Sequence, residues 1–207
     1  MESLVRGGTR WRRFAVVMVP SVAATAAVGI AIAQGALAAS FAVSGQQFKV
    51  TAKHLHGEGF EQYGALDVQH GKKYVPVAVS AFTDATITGL CQSVVIPTPI
   101  GDVTLKLTAG DKGKDVTAKN LYIDLDQLDA DAQFNNINIG VAAGDSTKGP
   151  GVKDKDMTDP GSFAQEADSA DLYGVQQTAW ATSAGTFTLS GLSLGVHKGS
   201  GSSVECY

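Results

Sequence analysis

The chain lacks arginine after residue 13, since all four of its arginines lie at Arg6, Arg10, Arg12 and Arg13. Without arginine, residues 14–207 lack the side chain that clamps phosphate and carboxylate groups in a bidentate way. The same residues carry 12 lysines against 19 acidic residues, a net charge of −7. An acidic chain without a basic patch has no general affinity for a phosphate backbone, so we expect no nucleic-acid partner.

Charge of either sign is missing from residues 14–48, a run of 35 residues that directly follows the arginines. As a helix, Phe14–Ala33 would be about 30 Å long, which is enough to cross a hydrocarbon core. A basic segment followed by an apolar run is typical of export, and Gly35–Ala39 offers the small residues that a signal peptidase recognises. The sequence therefore predicts residues 1–39 as a cleaved signal peptide or an uncleaved signal anchor. In either case residues 40–207 are exported, either secreted or held at the outer face of the cytoplasmic membrane.

Cysteine is scarce, with only Cys91 and Cys206 in the chain. In an oxidising compartment, an even pair in a small domain predicts one disulfide, although two unrelated buried thiols are the alternative. The loop between the two residues is long, so a bridge would stabilise the fold by on the order of 4–5 kcal/mol. Its expected role is to fix the C-terminal tail.

Long helical patterns are missing after residue 40, where apolar residues alternate with polar ones. Gly and Asp punctuate the alternating segments at predicted turns, among them Gly57–Gly59, Gly101–Asp102 and Gly110–Asp111. The pattern predicts an all-β fold, either as a two-sheet sandwich or as a single curved sheet. A curved sheet would leave an apolar groove for an acyl chain or a sterol, whereas a sandwich would have a filled core. The alternating segments are 41–43, 48–52, 75–81, 103–107, 121–125, 134–141, 187–189 and 192–196.

One polar segment separates these predicted strands. Residues 144–161 are rich in Gly, Asp, Lys and Pro, and they are too many for an ordinary hairpin loop. We therefore expect a surface loop at 144–161 within the exported β-domain. Directly after it, Ser162–Ala167 resembles a capping box and predicts a short helix.

A nucleophile-elbow pattern, G-x-S-x-G, occurs at Gly191–Gly195 around Ser193. The elbow requires a helix after the serine, but apolar residues continue in strand register to Val196. Only His197 and Glu205 follow as further triad residues, and they stand in the reverse of the hydrolase order. On a strand, the Cα atoms of Ser193 and His197 would be roughly 13 Å apart, too far for proton transfer. Ser193 therefore remains a weak candidate nucleophile.

Two groups of residues are candidate metal ligands. His54 and His56 share one face of a predicted strand, as zinc ligands can, and Asp124 and Asp126 belong to a run of carboxylates that could attract calcium. Spacing fixes no third ligand for the histidines, and the carboxylates lack the glycine and terminal glutamate of an EF-hand loop. A solvated polar face is the favoured interpretation of both groups, so we expect neither a metal nor another cofactor.

Several segments together resemble an actinobacterial family of exported proteins of unknown function, whose members are often labelled cholesterol esterase. The resemblance implies export and supplies no catalytic or binding residues. Two functions remain in view. The first is a non-catalytic protein of the cell envelope or surface that acts by binding or assembly, with a lipid or an envelope protein as partner. The second is an esterase or lipase acting on lipid or sterol esters through Ser193. The segments are Ala39–Lys49, Gly59–Gly64, Leu90–Ser93, Phe134–Gly140 and Glu205–Cys206.

Overall fold

A computed structural model of the protein describes residues 44–70, 73–111, 113–153 and 156–207. Within them, nine β-strands form one antiparallel sheet, and the only other regular element is a 3-10 turn at Ala143–Asp145. The all-β prediction is confirmed, and the architecture is a single sheet rather than a two-sheet sandwich. The strands are β1 (Phe48–Val68), β2 (Tyr74–Thr88), β3 (Leu90–Thr98), β4 (Gly101–Ala109), β5 (Val116–Asn135), β6 (Asn138–Ala142), β7 (Phe163–Ser183), β8 (Thr186–Thr188) and β9 (Ser193–Lys198).

Four long strands close the sheet on itself. β1 pairs with β2 on one edge and with β7 on the other, and β5 in turn pairs with both β2 and β7. The ring is therefore β1–β2–β5–β7, and it encloses the face of each strand that carries the apolar side chains. β6 and β8 add to β7 and β5, while β3, β4 and β9 continue the sheet away from the ring.

The core of the ring is built from cross-strand rows of apolar side chains. Phe60 lies opposite Phe82 and Ala167, and Phe82 lies opposite Leu121. All four residues are buried, with at most 3% of their surface exposed. Phe60 also packs on Phe134, with ring centroids 5.0 Å apart. Such rows hold neighbouring strands in one register, because a slip by one residue would turn each side chain to the other face.

The turn predicted at Gly57–Gly59 is wrong, because both glycines lie inside β1. A Cβ atom at Gly57 would lie 2.1 Å from the Phe82 ring, so the strand needs glycine there to admit that ring. Gly59 has a φ of +63°, and a Cβ atom there would lie 2.8 Å from the Lys148 carbonyl oxygen. These glycines serve close packing and an unusual backbone conformation in the middle of a strand.

A second, smaller core cluster lies towards the β1–β2 hairpin and includes Tyr63, Val77 and Val79. Val152, from the connection between β6 and β7, packs against it. That connection spans the predicted loop at 144–161, and its described residues contain no strand. The helix predicted at Ser162–Ala167 is wrong, because β7 begins at Phe163 and pairs there with β1 and β6. Cross-strand pairing thus overrides the local capping pattern.

The predicted signal peptide or anchor, residues 1–39, lies outside the described residues. In the part of the chain that is described, no helix has the length and the hydropathy of a membrane span.

Candidate interaction surface

Strands β3, β4 and β9 form an extension with two chemically different faces. β3 pairs with the start of β1 through only three residues, Cys91–Ser93, and then runs beside β4, which in turn pairs with β9. Because side chains alternate along each strand, even-numbered β3 and β9 residues share one face with odd-numbered β4 residues.

One face of the extension is apolar and open. Val94, Leu105 and Val196 form one row across the three strands, and Leu107 lies opposite Leu194 in the next row. Leu194 and Val196 are 65% and 67% exposed. Val94, Leu105 and Leu107 are half-buried, so the strongly exposed part of this apolar face is its β9 side, and such a patch is typical of an interaction surface. We call it the β3–β4–β9 face, and its members are Val94, Ile96, Val103, Leu105, Leu107, Leu194 and Val196.

The opposite face is covered by the C-terminal tail. The predicted disulfide between Cys91 and Cys206 is present, and the Cys206 N–H donates to Ser93 Oγ over 3.0 Å. The Lys49 ammonium lies 2.9 Å from the Glu205 carboxylate and lowers its pKa, while the Lys106 ammonium donates to the Glu205 carbonyl. The tail therefore holds the first strand pairings of the extension together from one side.

The outer edge of β9 is open, since no described strand pairs with it. Lys198 of β9 lies opposite Val103 of β4, so the next residues, Gly199 and Asp102, also lie opposite each other. The Gly199 N–H donates to the Asp102 carbonyl over 2.8 Å, which makes these two residues a hydrogen-bonded pair. Hydrogen-bonded residues alternate along an antiparallel ladder, so odd-numbered β9 residues turn their main-chain groups towards β4. Leu194 and Val196 consequently direct their N–H and C=O groups away from the sheet.

Ser193 does not lie in a nucleophile elbow. It is the exposed first residue of β9, it lies opposite Thr108, and the strand after it leads to no helix in the described residues. His197 lies four residues along the same strand, and Glu205 is engaged by Lys49. The geometry joins neither residue to Ser193, so the motif provides no catalytic triad.

The interior of the ring is nearly filled. Its apolar cavity, between residues such as Leu55, Leu121 and Val175, has a volume of about 30 Å³. This is far below the several hundred cubic ångströms of typical ligand pockets. The cavity has no room for an acyl chain or a sterol.

The two candidate histidines meet a carboxylate that the sequence does not place beside them. His54 Nε2 and His56 Nδ1 each lie 2.9 Å from Asp171 Oδ1, because Asp171 of β7 is opposite His56 of β1. The bond to Asp171 raises the pKa of His56, and Glu58 adds a weaker contact at 3.1 Å. Tyr173 stacks on His54 with centroids 4.4 Å apart. The cluster is a polar network on the outer face of the ring, and no group of three or more His, Cys, Asp or Glu in the described residues has the geometry to hold a metal.

The other candidate pair is split between two environments. Asp124 is 1% exposed, whereas Asp126 points to solvent beyond a bulge in the β5–β7 pairing. Asp124 accepts a bond from Lys153 over 3.2 Å, and burial raises its pKa. Burial, together with the neighbouring Asp124, raises the pKa of Asp67 to about 6. Asp124 therefore belongs to an acidic cluster beneath the loop, whereas Asp126 lies outside it, and the two do not form one shared ligand set.

Buried carboxylates also fix the loop at 144–161. Glu166 accepts the N–H groups of Thr147 and Lys148, and although burial opposes them, such bonds lower its pKa to about 2. Glu61, which is fully buried, accepts the Gly151 N–H over 3.0 Å. Sequence alone could not assign this role, because both glutamates look like ordinary solvent-facing residues of alternating strands.

The fold and surface define an all-β protein with a closed ring and a disulfide-held sheet extension, whose outer edge and apolar face are open. The chain belongs to DUF6230, a family of unknown function that matches residues 44–207 and so covers the whole described sheet. The predicted resemblance to a family of unknown function is confirmed at that level. No curated protein and no solved structure matches the chain.

Proposed function

We propose that the protein is a non-catalytic, exported protein of the cell envelope that acts by assembling with another protein through the β3–β4–β9 face and the edge of β9. The four arginines, the uncharged run and the disulfide support export. If the N-terminal segment is retained, it attaches this domain to the membrane.

The observation that carries the proposal is the junction of an open edge with an apolar face. Leu194 and Val196 contribute to both, because their side chains lie on the face while their main-chain groups point outwards. Lipid tails can cover the side chains but offer no hydrogen bonds to the N–H and C=O groups, whereas a strand from a protein satisfies both. Most edge strands in proteins are protected by charge, proline or bulges, and β9 carries no such residue before Lys198.

Neither a lipid-filled groove nor ester hydrolysis has comparable support. The interior cavity is too small for a lipid, and within one copy of the chain Ser193 lacks a base within reach. The esterase alternative makes a separate prediction, namely turnover of a short-chain ester that is lost in Ser193→Ala.

The test compares two double variants of the full chain in exporting cells. Leu194→Glu with Val196→Glu places carboxylates on the β3–β4–β9 face, while Leu66→Glu with Val68→Glu does the same at the exposed end of the β1–β2 hairpin. We expect native gels of mild detergent extracts to show complexes larger than the monomer for the wild type and the hairpin variant. The β9 variant should lose them, because each carboxylate would have to be desolvated in the interface.

Three results would contradict the proposal. The first is ester turnover that Ser193→Ala abolishes. The second is a purely monomeric wild type. The third is a wild type that forms no protein complex but binds phospholipid vesicles in a manner lost in the β9 variant, which would identify lipid as the partner.

A further inference from the structure

We infer that the partner at the β9 edge is a second copy of this chain, joined by antiparallel pairing of the two β9 strands about a two-fold axis. This inference rests on the proposed assembly function and specifies its partner. The first reason is symmetry: an antiparallel edge-to-edge pair is self-complementary, so one open strand provides both halves of the contact.

The register follows from the free main-chain groups. With the axis at Gly195, Leu194 of one copy lies opposite Val196 of the other, and the same pair repeats on the far side of the axis. Residues 194 and 196 are those whose N–H and C=O groups point outwards, so both pairs are hydrogen-bonded and the two copies exchange four bonds. The Gly195 residues then face each other as a non-hydrogen-bonded pair, with Cα atoms about 4.5 Å apart.

Side-chain chemistry also fits this register. The two-fold axis is perpendicular to the sheet, so the two β3–β4–β9 faces merge into one apolar surface across six strands. On the other face, Ser193 lies opposite His197 of the second copy, where a hydroxyl and an imidazole can form a hydrogen bond. Lys198 lies opposite Leu192, about 20 Å from the other Lys198, so no like charges meet. An axis at Val196 would instead place Lys198 opposite Leu194.

The size of the contact determines how it must be measured. A six-residue edge with two apolar side chains per copy falls below the area of standard stable interfaces, so the dimer belongs to the weak class. Attachment of both copies to one membrane would raise their effective concentration and favour pairing. A covalent trap is therefore a better assay than dilution of the purified protein.

Gly195→Cys provides that trap. In the proposed register the two new thiols lie within disulfide range, and oxidation in the exported compartment joins them with loss of two electrons and two protons to the cell's thiol oxidants. The new Cβ atom meets only the end of the His197 side chain, 2.9 Å away, which can move. Lys198→Cys is the matched control on the same strand, because its thiol lies too far from its symmetry mate to be bridged.

We expect most of the Gly195→Cys chain to migrate as a reducible dimer and Lys198→Cys to remain monomeric. Adding Val196→Pro to Gly195→Cys should reduce the dimer to the level of the control, because proline removes an outward N–H that β4 does not use. Peptide mapping of the Cys91–Cys206 bridge verifies that each variant has folded. A Gly195→Cys chain that keeps this bridge and stays monomeric overturns the second copy as partner. If Leu194→Glu with Val196→Glu still removes larger complexes in that case, the assembly function stands with a different protein.

Discussion

Removal of the Cys91–Cys206 bridge tests how the C-terminal tail stabilises the fold. The two cysteines are 115 residues apart, so the chain-entropy relation assigns about 5 kcal/mol to the cross-link at 25 °C. Non-covalent tail contacts remain in a Cys91→Ser/Cys206→Ser variant, including the Lys49–Glu205 ion pair and the bond from Lys106 to the Glu205 carbonyl. These contacts act in the folded state only, whereas the bridge also restricts the unfolded chain.

We therefore expect the double variant to lose about 3–5 kcal/mol of unfolding free energy. With a urea dependence of about 2 kcal/mol per molar for a chain of this size, the unfolding midpoint should fall by about 1.5–2.5 M. The measurement is urea denaturation of the protein as isolated from exporting cells, followed by the fluorescence of Trp180 and any retained Trp11. The urea dependence itself should rise slightly, since the unfolded chain without a cross-link exposes more surface.

Reduced wild-type protein is the matched control, because it keeps both sulfur atoms and lacks only the bond. Reduced wild type and the double variant should unfold at similar urea concentrations, well below the oxidised protein. A midpoint decrease of less than about 0.5 M, equivalent to about 1 kcal/mol, would refute the reasoning. It would mean that the cross-link restricts the unfolded chain far less than the chain-entropy relation assigns.

Two further predictions concern the buried residues of the ring. The folded-state pKa of Asp67, about 6, lies above its ordinary value of 3.8, so the folded protein binds the proton more tightly and stability should fall as pH rises between these values. The maximum loss of unfolding free energy is about 3 kcal/mol. The Asp67→Asn variant stays neutral, so its urea midpoints at pH 4 and pH 7.5 should not show this loss. Equal pH dependence in the wild type and the variant would contradict the prediction. Gly57→Ala should lower stability by about 1–3 kcal/mol, because the new methyl group would overlap the buried Phe82 ring, whereas Gly64→Ala meets nothing within 4 Å and should be neutral or slightly stabilising. Equal thermal midpoints for these two alanine variants would show that the core adapts around residue 57.

Period-two alternation predicts most of the strands, because each strand has one buried and one wet face. The segments 75–81, 103–107 and 121–125 all lie inside strands of the structure. The length of β1 could not be predicted, since Gly57 and Gly59 look like turn residues until the Phe82 ring and the Lys148 carbonyl are placed beside them. Closure of the β1–β2–β5–β7 ring could not be predicted from the sequence either, because it depends on which strands distant in sequence pair with each other.

For the candidate sites too, features that depend on local sequence or composition could be predicted, and features that depend on strand pairing could not. The disulfide could be predicted because the pairing of two cysteines depends on composition and compartment more than on topology. The carboxylate that bonds to His54 and His56 could not be predicted, because Asp171 is 115 residues from His56 and is brought near it only by the pairing of β1 with β7. The open edge of β9 was also beyond sequence analysis, because an edge strand is defined by what does not pair with it.

The C-terminal tail and the open edge of β9 are structurally coupled, because both lie on the extension formed by β3, β4 and β9. The disulfide at Cys91 and the hydrogen bond to Ser93 attach the tail to β3. The Lys106 side chain attaches the tail to β4, the strand that pairs with β9. An extension joined to the ring through three residue pairs of β1 would otherwise be free to bend, and a bending edge loses conformational entropy when a partner strand orders it. By fixing the extension from its polar face, the tail leaves the apolar face and the β9 edge preorganised. In the proposed function, the disulfide would couple assembly to export, because the bridge that helps to fix the extension forms in an oxidising compartment.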